Sequence, residues 1–117
     1  MIDVYTALTP NGIKVPIVLE ELGLEYRVIP VNLAAGEQSR PEFLAINPNG
    51  RIPAIVDHQG PGGRTVSLFE SGAILLYLAE KAGGLLPRDP VERLRAMGYL
   101  FLQVASVGPR FGQAGWF

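Results

Sequence analysis

The sequence predicts an α+β domain with a mixed sheet, followed by the start of a helical region. Its predicted elements run in the order strand, helix, strand, connector, strand, strand, helix. A helix between the first two strands requires a parallel crossover, whereas the short loop between the last two strands permits an antiparallel hairpin. With 117 residues, 48% of them hydrophobic, the chain is long enough for one core and too short for two full domains.

The first predicted unit is a strand followed by a helix. Residues 2–5 form a short apolar run, and residues 14–24 carry apolar side chains at helical spacing, in a helix predicted to start at Asn11. Asn11 suits the N-cap of this helix and Gly23 suits its C-cap. Pro16 would fall just beyond the first turn, so its missing N–H group predicts a mild distortion there.

The elements that follow are bounded by turn-forming residues. An N-P-N-G turn at residues 47–50 and a loop with three glycines and a proline at 59–64 are strong signals of this kind. The resulting order is a strand at residues 25–31, a loop at 32–40, a short helix at 41–45, a strand at 52–57, a strand at 65–69 and a helix at 70–81.

The last predicted helix begins near Val91, after a proline-flanked linker at residues 86–90. Its side chains are apolar on nearly every face at residues 96–107, and such a helix has to be buried all round. We therefore expect either another subunit against this helix or a longer protein of which this chain is the front part. The predicted division is a first domain at residues 1–86, then a linker and the opening helix of a truncated second domain at residues 87–117.

The composition excludes several kinds of site. Without cysteine there is no disulfide, no Fe–S cluster and no cysteine nucleophile, and His58 alone cannot supply a multi-histidine metal site. A net charge of −1 with scattered arginines leaves no electrostatic footprint for nucleic acid. His58 follows Asp57 and is expected to be a solvated residue at a strand end, because sequence neighbours there point in different directions and do not build a catalytic triad.

Neither a membrane span nor a targeting segment is recognisable. The charge-free residues 96–109 are too few to cross a bilayer, and the acidic start of the chain does not resemble a signal peptide. We therefore expect a cytoplasmic protein that does not contact membranes.

Three motifs, in order along the chain, carry a resemblance to a known family. They are Y-T-A-L-T-P-N-G-I-K at residues 5–14, N-P-N-G-R-I-P at 47–53 and F-E-S-G-A-I-L-L-Y-L-A-E-K at 69–81, with G-P-R-F-G-Q-A at 108–114 near the C-terminus. With these motifs the chain resembles the glutathione transferase superfamily. The nearest branch is the nu class of glutathione-dependent disulfide reductases, which is related to a yeast nitrogen regulator. The resemblance implies a thioredoxin-like first domain that binds glutathione and an all-helical second domain, of which only the start is present.

Two of the motifs hold candidate residues for the backbone and the γ-glutamyl end of glutathione. By themselves, Glu70 and Ser71 fit either an ordinary helix start or an anion site at a helix N-terminus. Ile52 and Pro53 fit either a rigid start to a strand or a cis peptide bond. The resemblance implies the functional alternative in both cases. Ser71 would contact the γ-glutamyl carboxylate and Glu70 the ammonium group, and Ile52, before a cis Pro53, would pair with the cysteinyl backbone as an added strand does.

The resemblance also implies residues for the sulfur and for the glycyl end of glutathione. Thr9 and Asn11 would donate hydrogen bonds to the sulfur and are the predicted catalytic residues, while Tyr5 is expected to be structural. Glutathione has to bring the sulfur because the chain has no cysteine, and a helix N-terminus favours the thiolate form. Gln38 and Arg51 are the candidates for the glycyl end.

Several functions remain open at this stage. The first is an enzyme that uses glutathione as co-substrate, without a metal, to modify an electrophilic small molecule or to reduce a disulfide. The second is a non-catalytic module for dimerisation or regulation, and the third is an inactive fragment of a longer enzyme. The Thr-Pro-Asn sequence favours disulfide reduction over aryl transfer, and the resemblance implies a homodimer.

Overall fold

Four strands and four α-helices follow one another in the part of the chain that the computed structural model describes, residues 1–110. The strands are β1 (Ile2–Thr6), β2 (Tyr26–Pro30), β3 (Ala54–Asp57) and β4 (Val66–Phe69). The α-helices are α1 (Lys14–Leu22), α2 (Pro41–Leu44), α3 (Ser71–Ala82) and α4 (Pro90–Leu102). Short 3-10 turns occur at Glu37–Ser39 and Pro61–Gly63, and a π-helical turn, Gln103–Val107, directly follows α4.

The four strands form one mixed sheet in the order β2-β1-β3-β4. β1 and β2 are parallel, with Val4 opposite Val28, because α1 carries the chain back across the sheet. β3 runs antiparallel to both β1 and β4, which form the other two pairs. The predicted α+β class with a mixed sheet is thus confirmed, and this arrangement of strands and helices is the thioredoxin-like one.

The core lies on both faces of the sheet. On one face, α1 and α3 bury apolar side chains against β1 and β3, and the fully buried members are Val4, Val15, Leu19, Ile55, Ile74 and Leu78. On the other face, Phe43 of α2 packs against Tyr5 with ring centroids 6.2 Å apart. Tyr5 is therefore part of the packing between α2 and the sheet, as a structural role requires.

The prediction that Asn11 caps α1 is wrong. The helix begins at Lys14, and its N-cap, Ile13, makes no side-chain capping bond. A tight turn precedes it, in which the Gly12 N–H donates to Thr9 Oγ1 at 2.9 Å. Because residues 10–13 belong to this turn and not to the helix, the Asn11 side chain does not cap the helix and can make another contact.

The late start of α1 also changes the role of Pro16. This proline lies in the first helical turn, where N–H groups have no partner within the helix, so it removes no hydrogen bond. The predicted distortion at Pro16 therefore loses its physical basis. Gly23 ends the helix with φ 68°, as predicted for a left-handed C-cap. The other predicted strands and helices of the first unit are confirmed with bounds that differ by a residue or two.

The described part of the chain leaves the helix α4 uncovered, as the sequence-based expectation of another subunit or a longer protein implies. Asp89 caps it by accepting a hydrogen bond from the Glu92 N–H at 3.0 Å. No residue of α4 is buried by the described part of the chain, and Leu94 and Tyr99 are 67% and 74% exposed. The division into domains at residue 86 stays a prediction, and residues 111–114 of the last quoted motif lie outside the described residues.

A buried carboxylate ties β3 to α3. Asp57 accepts hydrogen bonds from Tyr77 Oη at 2.6 Å and from the Gln59 N–H at 2.9 Å, and its Oδ2 lies 2.9 Å from Lys81 Nζ. Burial alone would raise the pKa of Asp57, but these partners outweigh burial and hold the pKa below its ordinary value. Burial and the neighbouring Asp57 carboxylate raise the pKa of Tyr77 to about 12.

His58 is paired rather than simply solvated, which corrects the sequence-based expectation. Its Nε2 lies 2.9 Å from Asp3 Oδ2, and the other oxygen of this buried carboxylate is held by Arg27 at 3.0 Å. Asp57 and His58 thus belong to different networks, on β3–α3 and on β1–β2, so the two neighbours do not form part of a triad.

No helix within residues 1–110 is both long enough and apolar enough to cross a membrane.

Candidate functional site

A cleft of about 540 Å³ opens where the starts of α1 and α3 meet the loop before β3 and the end of α4. This volume falls in the range of small-molecule sites. Four segments line the cleft: Thr9, Pro10, Asn11 and Lys14; Asn47, Asn49 and Arg51–Pro53; Glu70 and Ser71; and Gln103, Val104 and Val107–Pro109.

The turn between β1 and α1 presents two polar side chains to the cleft. Thr9 Oγ1 accepts the Gly12 N–H, which leaves the Thr9 O–H available as a donor. Asn11 is exposed and donates through Nδ2 to the Ile52 carbonyl oxygen at 3.3 Å, which leaves its second N–H available. A Cβ on Gly12 would overlap the Ala7 carbonyl oxygen, so the tightness of this turn requires glycine.

The side chain of Asn47 stabilises the loop before β3 through hydrogen bonds to the backbone of that loop. This buried side chain donates to the Arg51 carbonyl oxygen at 2.7 Å and accepts the Asn49 N–H at 2.9 Å. The Ile52–Pro53 peptide bond that follows is cis, as the resemblance implies. The loop therefore holds the Ile52 backbone at the edge of the cleft, where its carbonyl oxygen keeps a second lone pair besides the one that Asn11 uses.

The junction of β4 and α3 brings an acidic residue and a helix start together. Ser71 is the first residue of α3 and is only 7% exposed, so its neighbouring N–H groups lie at the positive end of a twelve-residue helix. Glu70 has φ 73° and ψ 115°, a conformation that costs a residue with a side chain on the order of 1–3 kcal/mol. No cation lies within 4 Å of its carboxylate in residues 1–110.

The end of α4 closes the fourth side of the cleft. Lys14 Nζ donates to Gln103 Oε1 at 2.9 Å, and burial lowers the pKa of Lys14. A Cβ on Gly72 would approach Val104 Cγ1 to 3.3 Å, which shows how closely the π-helical turn packs on the start of α3. This turn therefore contacts the starts of both α1 and α3.

The structure brings most of the predicted site residues together. Seven of them line the one cleft: Thr9, Asn11, Arg51, Ile52, Pro53, Glu70 and Ser71. Gln38 is the exception, because it lies in the 3-10 turn Glu37–Ser39 and does not line the cleft. Its Oε1 is buried without a hydrogen-bond partner in the described residues, so a role at the glycyl end stays a prediction.

Sequence reasoning missed four polar residues of the described lining. Lys14, Asn47 and Asn49 stand inside the quoted motifs, and Gln103 is a polar interruption of the apolar stretch near the end of α4. A place inside a motif, or a lone polar side chain in an apolar stretch, was the sequence signal that could have identified these residues. Within residues 1–110 no group of three or more histidine or acidic side chains could hold a metal ion.

Comparison with known proteins connects this geometry to a family. The family model described as "Glutathione S-transferase, N-terminal domain" matches residues 2–80. The disulfide-bond oxidoreductase YfcG of Escherichia coli is 57% identical over 114 residues, which is 97% of this chain and 53% of the relative. The transcriptional regulator URE2 of Saccharomyces cerevisiae is 42% identical over 111 residues, which is 90% of this chain and 30% of the relative.

Solved structures of the same family are also similar to this chain. A glutathione transferase from Pseudomonas putida, with one glutathione disulfide bound per subunit, superposes with a TM-score of 0.97 at 49% identity, over 99% of this chain and 50% of that one. A family member from Pseudomonas fluorescens with two glutathione bound also gives a TM-score of 0.97, at 48% identity over 99% of this chain and 51% of that one. The chain thus spans about half the length of the Escherichia coli relative and of these two structures, and less of URE2. Because the family model covers most of the chain, this chain belongs to the glutathione S-transferase family.

Proposed function

We propose that the protein binds glutathione in this cleft and activates its thiol for the reduction of a disulfide. The observation that carries the proposal is the convergence of seven predicted glutathione residues on one cleft. The relatives support it, since the Pseudomonas putida structure holds glutathione disulfide and the Escherichia coli relative is named a disulfide-bond oxidoreductase.

The charges of the cleft fit the γ-glutamyl end of glutathione. Its α-carboxylate would lie against the N–H groups at the start of α3 and the Ser71 hydroxyl. Its ammonium group would pair with the Glu70 carboxylate. The cost of holding Glu70 in its unusual backbone conformation fits this role, because strained residues of this kind cluster at ligand sites.

The rest of the tripeptide would follow the edge of the cleft. The cysteinyl backbone would pair with Ile52, beside the cis Pro53, and place the sulfur at the turn between β1 and α1. The Arg51 guanidinium, with the help of Gln38, would hold the glycyl carboxylate.

The turn between β1 and α1 would stabilise the sulfur as a thiolate. The Thr9 O–H and the second Asn11 N–H are donors without an acceptor among the described side chains, and hydrogen bonds to an anion lower the pKa of the acid that forms it. The thiolate attacks one sulfur of a disulfide, forms a mixed disulfide with glutathione and releases the other sulfur as a thiolate that takes up a proton. A second glutathione thiolate then attacks the mixed disulfide, so two glutathione and one disulfide become glutathione disulfide and two thiols.

Two other functions use the same cleft. Transfer of the thiolate to an electrophilic carbon needs the same activation, and a relative from Schizosaccharomyces pombe is named glutathione S-transferase 1. A non-catalytic regulatory role is favoured by the 42% identity with URE2. A third alternative is that the activity belongs to a longer protein, since the chain covers 53% of the length of the Escherichia coli relative.

Assembly and location are part of the proposal. We expect a homodimer, because α4 exposes apolar side chains that association would bury, among them Leu94 and Tyr99. We expect the cytoplasm as location, because disulfide reduction of this kind needs a pool of reduced glutathione, which the cytosol maintains.

The test is the reduction of a small mixed disulfide by excess glutathione, measured for the full chain and for Asn11→Ala. Losing one hydrogen bond to a thiolate should lower kcat by roughly tenfold to a hundredfold while glutathione affinity changes little. Asn32→Ala, in the loop after β2, is the matched control and should keep the rate. Equal rates would remove Asn11 from the mechanism. Saturable amide shifts on glutathione titration without any turnover would favour the non-catalytic role.

A further inference from the structure

The contact between Lys14 and Gln103 is a feature of the cleft that the proposed glutathione contacts do not include. It joins the first residue of α1 to the π-helical turn after α4, across 89 positions of sequence, with Nζ and Oε1 2.9 Å apart. An ammonium group has three donors, of which Gln103 takes one. No carboxylate lies within 4 Å of Lys14 Nζ in the described part of the chain.

When the charged groups of the cleft are paired with those of glutathione, Lys14 has no anionic partner. The inference rests on the proposed function, in which the cleft offers, among residues 1–110, two cations, Lys14 and Arg51, and one carboxylate, Glu70. The γ-glutamyl group would use Glu70 and the start of α3, and the glycyl carboxylate would use Arg51. A partly buried ammonium group with only a neutral amide as partner pays a desolvation cost that an anion would offset, and burial does lower the pKa of Lys14.

The neighbours of Lys14 indicate what kind of molecule supplies that anion. Gln103 belongs to the wall formed by Val104, Val107 and Pro109, and none of these residues is among the predicted glutathione contacts. This wall is mainly apolar, with one amide and one ammonium group at its edge. It suits a molecule with a short carbon chain that ends in a carboxylate.

We propose that Lys14 and Gln103 form a subsite for a carboxylate of the second substrate, so that the protein prefers acidic disulfides over neutral ones. Lys14 is the binding residue, because its ammonium group contacts the carboxylate. Gln103 is a positioning residue, because its amide oxygen holds the ammonium group at the wall and its amide N–H groups remain free to donate to the same carboxylate.

The test uses two disulfides of matched size, dithiodipropionate and its neutral diamide. Binding of each to the full chain is measured by calorimetry at low ionic strength, with and without S-methylglutathione, an unreactive analogue that occupies the glutathione positions. We expect the dicarboxylate to bind roughly tenfold more tightly than the diamide, the size of one charge-assisted contact. Lys14→Gln should abolish this preference and Lys14→Arg should keep much of it. Arg88→Gln, which removes an exposed cation outside the cleft, should not change it.

A second variant separates this role from a purely structural one. Gln103→Glu places a carboxylate beside Lys14, so the contact between α1 and the end of α4 is kept while the subsite is neutralised. We expect the preference for the dicarboxylate to be lost in a folded protein. If the Lys14–Gln103 contact only holds the two segments together, the preference will survive this substitution, and the proposal is then wrong.

Turnover distinguishes the subsite from the proposed function itself. Lys14→Gln should raise KM for the dicarboxylate roughly tenfold relative to KM for the diamide. Equal loss of kcat with both disulfides would mean that Lys14 acts on the thiolate, which overturns the subsite. A Lys14-dependent preference in binding without any turnover would support the subsite and contradict disulfide reduction. Equal binding of the two compounds with turnover intact would support disulfide reduction and contradict the subsite.

Discussion

Asn11 Nδ2 lies 3.3 Å from the Ile52 carbonyl oxygen and so joins the turn after β1 to the cis-proline loop, across 41 positions of sequence. The two residues carry different parts of the proposed chemistry, because Asn11 would donate to the sulfur and Ile52 would pair with the backbone that carries it. Their hydrogen bond therefore sets the distance between the thiolate donor and the peptide edge. A side chain that the sequence assigns to a helix cap instead connects two halves of the site.

Gly12→Ala should destabilise the fold by about 2–4 kcal/mol. The added Cβ would overlap the Ala7 carbonyl oxygen and approach Thr6 Oγ1 to 2.8 Å, so the turn has to open. Urea unfolding followed by circular dichroism measures the change. Gly98→Ala is the matched control, because its Cβ meets nothing within 4 Å and alanine in a helix should stabilise by up to about 1 kcal/mol. Equal stability of the Gly12 variant and the natural protein would contradict the tight turn.

Ser71→Ala should weaken glutathione binding roughly tenfold, because one hydrogen bond to the γ-glutamyl carboxylate is lost. The free energy of unfolding should change by no more than about 0.5 kcal/mol, since the Ser71 hydroxyl makes no hydrogen bond within residues 1–110. Calorimetric titration with glutathione gives the affinity. Ser67→Ala on β4 lies outside the cleft and should bind normally. An unchanged affinity of the Ser71 variant would mean that the helix N–H groups bind the carboxylate and the Ser71 hydroxyl does not, which contradicts the prediction.

Asp57→Asn should lower the free energy of unfolding at neutral pH by about 2–3 kcal/mol, because a buried carboxylate with three partners is lost. The pKa of Asp57 is lower in the folded chain than its ordinary value of 3.8. Its stabilising effect is therefore complete above that value and is lost as the pH falls through the lower, folded pKa. Urea unfolding from neutral to acidic pH should show the difference between the two proteins shrinking below about pH 4. A difference that stays constant with pH would contradict the ionised network.

Tyr77 should titrate late among the tyrosines, since its pKa is raised to about 12 by burial and by Asp57. A folded-state pKa above the ordinary value of 10.0 means that Tyr77 favours the fold below that value and ceases to do so as the pH rises through about 12. Ultraviolet difference spectra of phenolate formation, compared with those of Tyr77→Phe, test this. The variant should lack the latest titration step, and an identical curve would contradict the contact with Asp57.

Much of the fold and of the site could be predicted from short segments. The hydrophobic period identifies each helix and strand of the first unit, and the left-handed end of α1 at Gly23 follows from glycine alone. Glu70 and Ser71 predict a helix start from local sequence alone, and the family resemblance adds the prediction of an anion site there. Ile52 and Pro53 indicate the turn into β3, also from local sequence.

Other features could not be predicted because they depend on which segments meet. Asn11 has the right side chain for a cap, but the contact with Ile52 competes with that role and exists only when the cis-proline loop is packed alongside. His58 appears solvent-facing beside Asp57, yet the pairing of β1 with β3 brings Asp3 to it. The sequence also did not indicate that Gln38 lies beside the loop and outside the cleft lining, so its role at the glycyl end stays a prediction.

The sequence by itself determined the order of the elements, the mixed sheet and the family motifs, because these depend on spacings within about ten residues, where chain geometry leaves few alternatives. Only the tertiary structure decided that Lys14 meets Gln103 and that Asn11 meets Ile52. Contacts between residues distant in sequence are selected by the packing of whole helices and strands, and no short pattern encodes which of many compatible side chains will be neighbours.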